Sequence, residues 1–407
     1  MKKILPCSCI WALLALVGCG TGSSTDSESG TADSEATAAD AAVNDPATIE
    51  AGKQIFRYDT FGNETYWTQT LRLHEIVDNE IQPVEALALG LKVDLDKLDF
   101  TKFVLKNPLF ASGTRELLRQ DAVVGLKATF DEQGRIKTLG VTCALCHSTV
   151  DNALLPGIGH RLDGWPNRDL DPGAIIAMSP ALTAEQKAVY KSWGKGKYDP
   201  RYNQDGRNGP VVIPPAYGLA GINRVTFTGD GDEIAYWNRY VGVTQMGGHG
   251  TFTEPRTGVS VTNGSDDLIS SKLPALQAYQ LSLVAPSPSP RSFDAKAAQH
   301  GKVLFDGTAR CATCHSGPKF TDANTRLHDP AEVVSEPEPD SAPSYASRSA
   351  TKQYRTSPLR GVWQHPPYFH NGTAPTLEAV VSTYNTRKSL GLSQADIEDI
   401  AEYLKSL

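Results

Sequence analysis

Four of the chain's seven cysteines fall into two pairs, Cys143-Ala144-Leu145-Cys146 and Cys311-Ala312-Thr313-Cys314. Each pair is followed directly by a histidine, His147 and His315. Two thiols two residues apart can form thioethers with the two vinyl groups of one porphyrin, and the next residue then presents its imidazole to the iron. At this chain's cysteine and histidine frequencies one such string arises by chance about 0.003 times, so two of them exclude coincidence. A zinc site would use the same residue types but needs four thiolate or imidazole ligands converging. A thioredoxin-like redox pair needs a βαβ setting and leaves both histidines unexplained. The spacing therefore predicts two covalently bound haem c groups. Cys143 and Cys146 attach the first and Cys311 and Cys314 the second, with His147 and His315 as axial ligands.

The surroundings of the two motifs repeat weakly. Gly52-Lys53-Gln54-Ile55-Phe56 and Gly301-Lys302-Val303-Leu304-Phe305 each stand near the start of a helical pattern. Leu276 to Leu283 and Ile400 to Leu407 are similar amphipathic endings. That is the order of a small cytochrome c: opening helix, haem motif, loops, closing helix. The expected fold is mainly α, with two cytochrome c-like domains at 47–285 and 291–407 joined by a Pro/Ser hinge at 286–290. The first domain carries a large insertion, about 57–140, in which Leu117 to Leu126 reads as helix and Ala128 to Val141 as a hairpin around Asp131-Glu132-Gln133-Gly134. Pro337 to Pro343 reads as a mobile loop, and Ser393 as the N-cap of the last helix.

The N-terminus gives the address. Lys2 and Lys3 precede an apolar stretch from Ile4 to Val17, which reads as an export signal over residues 1–18. Its end, Leu16-Val17-Gly18-Cys19, is similar to a bacterial lipoprotein box, in which Cys19 becomes the new N-terminus and carries lipid; a simply cleaved signal is the alternative. Residues 19–46 are almost all small, polar or acidic, the composition of a disordered tether. The expected location is the periplasmic or cell-envelope side, anchored by lipid to a membrane, the outer one because Gly20 replaces the aspartate that marks inner-membrane retention. Beyond this N-terminal stretch the sequence has no long apolar run, which excludes a polytopic membrane protein. With 39 basic against 46 acidic side chains, a net charge of −7 excludes a generally basic nucleic-acid binder.

Tyr354-Arg355-Thr356-Ser357-Pro358-Leu359-Arg360 and Pro367-Tyr368-Phe369-His370-Asn371-Gly372, with Thr376-Leu377-Glu378 after them, resemble the bacterial di-haem cytochrome c peroxidases. They resemble equally the di-haem enzyme that matures the quinone cofactor of methylamine dehydrogenase. The resemblance is specific over the last 120 residues or so and looser from 140 to 285; the insertion before Cys143 departs from it. It implies that the distal ligand of the second haem stands fourteen residues after His370, at Tyr384, where peroxidases have methionine and the maturation enzyme tyrosine. No methionine follows Met246. Ligation by Tyr384 is therefore preferred, with a core tyrosine as the alternative, and His370 is a supporting or alternative ligand.

For the first haem the resemblance points to His160, in Gly157-Ile158-Gly159-His160, as a distal or gating residue. Met178, Met246 and His249, the last in a flexible Gly247-Gly248-His249-Gly250 run, are rivals, and so is an open iron. Trp165 stands where the family places a tryptophan between haems. Asn167 and the Pro367 carbonyl match roughly the family's calcium ligands, with His365 in place of a threonine. The glutamate and glutamine that move protons in the family lack their motif here; Gln245 and Glu254 are nearby candidates in sequence.

The resemblance implies a peroxidase-like oxidoreductase that reduces H2O2 at the first haem with electrons relayed by the second. The donor would be a small cytochrome or cupredoxin. Two other functions fit the same motifs. One is a non-catalytic, membrane-tethered electron carrier; the other is an oxidase of an organic or protein substrate acting through high-valent iron.

Overall fold

The first helix, Pro46–Tyr58, begins where the Asp45 carboxylate accepts the Thr48 backbone N–H at 2.9 Å, with proline in the first turn where no amide is needed. Its inward face carries Gly52 and Phe56, and it crosses the helix Leu273–Ser282. The crossing is close: a Cβ at Gly52 would lie 1.9 Å from the Ala275 carbonyl oxygen. One turn further, fully buried Phe56 meets Tyr279 edge-on at 5.5 Å.

The same arrangement recurs later in the chain. Asp294 caps the helix Ala295–Asp306, which crosses Gln394–Lys405. A Cβ at Gly301 would lie 1.9 Å from the Asp399 carbonyl oxygen, and Phe305 meets Tyr403 edge-on at 5.3 Å. Glycine, phenylalanine and tyrosine thus repeat as a packing unit: the glycine lets backbones approach, and the rings fill the space beside the crossing. Burying each such ring is worth about 1.5–3 kcal/mol. Ser393 caps the last helix through a reciprocal capping box with Asp396, as expected.

Around these two helix pairs lie two separate hydrophobic cores. One draws on residues between Ile49 and Leu283, the other on residues between Phe293 and Leu407. The architecture is helix-rich, and among the described residues strands pair only as two-stranded ladders. These descriptions come from a computed structural model and cover residues 45–106, 109–231, 233–333 and 344–407. The signal segment, Cys19, nearly all of the tether and the 337–343 loop lie outside the described residues. Among the described residues no helix is long and apolar enough to cross a membrane.

The insertion differs in part from expectation. Its helix runs Ala111–Arg119 rather than Leu117–Leu126. Asp121 turns into the left-handed region at φ 55°, which ends the helix, and Ala122 to Val124 run extended alongside Lys92 to Asp94. The hairpin is present as Leu126–Phe130 paired antiparallel with Ile136–Val141, turning at Asp131 to Gly134. A second hairpin, Gly250–Glu254 with Val259–Asn263, follows the glycine run at 247–250. That run is not a free loop. Gly248 N–H donates to Gly242 and His249 N–H to Phe61, so it is stitched to the first core.

Candidate functional site

Both attachment motifs sit just inside their cores. Cys143 to His147 form a short helical turn after the strand Ile136–Val141, with Gly125 packed against Leu145. Cys311 to Thr313 form a 3-10 turn after the helix Ala295–Asp306. None of the four cysteines is in a disulfide. Burial pushes the Cys143 and Cys146 thiols up to about 12 and Cys311 to about 11, so they are held as thiols. Among the described residues the one cluster of three metal-ligating side chains is Cys314, Asp322 and His328.

The two histidines are held alike. His147 Nδ1 donates to the Pro214 carbonyl oxygen and His315 Nδ1 to that of Phe320, each at 3.1 Å. This fixes the tautomer that leaves Nε2 as the free lone pair. Burial lowers both imidazoles, His147 to about 4, which keeps them neutral and ready to bind a metal.

Behind the second motif opens a cavity of about 980 Å³. Cys311, Cys314, His315, Tyr384, His370 and Pro367 all face it. So do Arg168, Arg355 and His365, which the sequence does not single out as a group. Arg168 keeps Nε and Nη1, Arg355 keeps Nε and His365 keeps Nδ1 buried without a hydrogen bond among the described residues. Burial pulls both guanidinium groups down to about 10. Buried cations with unused donors normally meet an anion. A porphyrin supplies what is missing: an apolar ring for the cavity walls, and two carboxylates for the arginines. The residues present fit haem c.

Tyr384, on the helix Leu377–Lys388, faces this cavity with Phe369 6.3 Å away. Burial and the two nearby thiols raise its phenol. His370 is buried among Phe227, Tyr345 and Tyr354, with ring centroids 6.4, 6.0 and 4.9 Å away. Trp165 lies edge-on to Tyr217 at 6.5 Å and Trp363 at 6.1 Å, so it touches aromatic residues from both halves of the chain.

His160, the first choice for a distal residue at the first haem, is placed at the surface. Its side chain is 54% exposed and its Nδ1 is hydrogen-bonded to Asp96 at 2.8 Å, which raises its pKa. Met178 and Met246 pack in the first core, and Met246 offers its carbonyl to the Trp67 indole. The His249 ring is flanked by Gly62 and Gly264. Asn167 donates to the Gly90 carbonyl while its Oδ1 stays buried without a partner among the described residues.

One polar group near the first motif is one that sequence reading missed. Tyr198 is half-buried within electrostatic range of Cys146, and its phenol is raised far above its usual value. Its hydroxyl donates to Gln245 Oε1 at 2.9 Å, and the Gln245 amide donates to Asn203 and Thr244. Glu254 is occupied elsewhere. It accepts Tyr236 at 2.7 Å and both Nε and Nη2 of Arg256, and is lowered to about 2.

The comparisons with known proteins agree with this chemistry. A family model described as RoxA-like, cytochrome c-like, matches residues 353–390. Cytochrome-c peroxidase IdrP1 of Denitromonas iodatirespirans is 28% identical over 149 residues, covering 27% of this chain and 40% of the relative. Methylamine utilization protein MauG of Methylorubrum extorquens is 31% identical over 124 residues, covering 27% of this chain and 34% of that one. The chain thus spans well under half the length of these relatives. Among solved structures, the diheme peroxidase BthA of Burkholderia thailandensis is similar at 17% identity and a TM-score of 0.33, over 58% of this chain and 79% of that one. In sequence the chain is thus similar to cytochrome c peroxidases and to MauG over part of its length, and its two attachment motifs are those of two covalently bound haem c groups.

Proposed function

We propose that this protein is an exported, peroxidase-like oxidoreductase that reduces H2O2 at the first haem, with electrons entering from a small cytochrome or cupredoxin through the second. The observation that carries the reading is the asymmetry between the two sites. The second motif opens on a cavity that already holds a candidate sixth ligand, Tyr384. Near the first, His160 stands at the surface, and a part-buried phenol–carboxamide pair, Tyr198 and Gln245, lies within electrostatic range of Cys146.

Haem iron, when bound, supplies the one-electron chemistry and the site for the oxidant. The protein's residues do the rest. His147 and His315 each donate Nδ1–H to a backbone carbonyl, which leaves the Nε2 lone pair free on the far side of the ring. Tyr198 stays protonated and donates its hydroxyl hydrogen to Gln245, which places a hydrogen-bonded phenol–carboxamide pair near the first attachment motif. Glu254 remains a carboxylate bound to Arg256 and holds its hairpin rather than moving protons. Arg168 and Arg355, with buried donors unpaired among the described residues, would hold the haem carboxylates at the second site. Asn167 Oδ1 is the residue atom best suited to the family's calcium, should a cation be found there.

The test is an electronic and EPR spectrum of the matured protein before and after one-electron reduction, with peroxide added to each. A high-spin ferric component that peroxide consumes supports the enzyme. Two low-spin haems indifferent to peroxide in both states would replace it with a membrane-tethered electron carrier.

A further inference from the structure

Within the insertion, the six-residue helix Phe100–Leu105 and the chain after it expose five large apolar side chains in eleven residues. Phe100 is 47%, Val104 60%, Leu105 78%, Leu109 71% and Phe110 58% exposed. Soluble surfaces scatter such residues singly; a run of five marks a contact face. The segment is built, not frayed. Asp99 caps the helix by accepting the Lys102 N–H, its own N–H donates to Gln120, and Ser112 bonds the Lys106 carbonyl at 2.6 Å. Leu98 and Phe103 anchor it to the first core. Phe100 and Val104, four residues apart, share the face turned away from that core.

We propose that this face is a membrane contact, seated on the surface of an anionic lipid leaflet. Two observations select lipid over a second copy or another protein. First, residues 100–110 contain two lysines, Lys102 and Lys106, and no carboxylate, in a chain whose net charge is −7. Large apolar side chains interleaved with lysines are the pattern that lies in a headgroup layer, whereas two copies meeting here would oppose like charges. Lys106 has no ion pair among the described residues, and the Asp99 partner of Lys102 lies at the base of the helix. Second, the sequence carries a lipoprotein-like box ending at Cys19, and 25 residues lie between it and Asp45. That length spans at most roughly 90 Å, so a bilayer bound at Cys19 is within reach of any face of the folded unit. The apolar ridge then sets which face meets it.

The experiment is hydrogen–deuterium exchange on the full-length, haem-loaded protein, alone and with vesicles of phosphatidylethanolamine and phosphatidylglycerol. Amides of 100–110 are expected to exchange at least tenfold more slowly on these vesicles, and Leu105→Asp/Leu109→Asp is expected to restore the free rate. Both positions are exposed, so the fold and the haem spectrum are retained. Val303→Asp, an exposed apolar site in the second core's opening helix, is expected to change nothing. Vesicle-bound protein with 100–110 unprotected would overturn the proposal, leaving only a lipid anchor. Protection that grows with protein concentration without vesicles would overturn it in favour of a second copy. Equal protection on phosphatidylcholine would overturn the anionic requirement.

Discussion

At the scale of single residues, the chain shows how burial assigns roles that residue type leaves open. Tyr384 and Tyr198 are both half-buried phenols near attachment cysteines, yet one faces an open cavity and the other is hydrogen-bonded to Gln245. Tyr384→Phe should alter the low-spin EPR signal of one haem only; an unchanged spectrum would retire Tyr384 as a ligand. Glu254 gives a pH prediction with a definite sign. Its carboxyl is held at about 2 by hydrogen bonds from Arg256 and Tyr236, below the usual 4.5. A depressed carboxyl contributes stability that is complete above the ordinary value and disappears as pH falls through the folded one. From pH 4.5 down to 2 the melting temperature of the wild type should therefore fall more steeply than that of Glu254→Gln. Parallel curves would contradict the pairing. The attachment residues were legible because Cys-x-x-Cys-His is a local string. The surface position of His160 was not legible, because its partner, Asp96, lies 64 positions away and no local spacing encodes that contact.

At the scale of elements, the repeated glycine–phenylalanine–tyrosine crossing explains why two helix pairs were readable. Each helix announces itself by amphipathic spacing, and Gly52 and Gly301 mark where a partner backbone must come near. Gly301→Ala forces the crossing apart and should cost about 1–3 kcal/mol, read as a lower urea midpoint with unchanged slope. A neutral result would mean the helices separate freely. The insertion was less legible. Val123-Val124-Gly125-Leu126 suits the end of an amphipathic helix as well as a strand, and the left-handed turn at Asp121 decides between them. The second hairpin had a usable signal, alternation from Thr251 to Thr253 and from Val259 to Thr262 around Gly258. The glycine run before it reads as loop only until its backbone hydrogen bonds to Phe61 and Gly242 are seen.

At the scale of the whole molecule, the two cores are joined by buried charge as well as by Trp165. Arg348, 2% exposed in its side chain, forks onto Asp199 at 3.0 Å and Asp205 at 2.8 Å, and Tyr345 beside it stacks over His370. Arg348→Ala leaves the fully buried Asp199 carboxylate without its cation and should destabilise the protein by about 3–5 kcal/mol, measured by chemical unfolding; a loss below about 1 kcal/mol would show the joint to be incidental. None of this was legible in advance, since an arginine and an aspartate 149 positions apart carry no mark of each other. Everything at this scale depends on porphyrin occupying both sites. Pyridine haemochrome analysis of exported protein should return two haem equivalents, and one after Cys311→Ala/Cys314→Ala. One equivalent or none in the unaltered protein would contradict the account at its root.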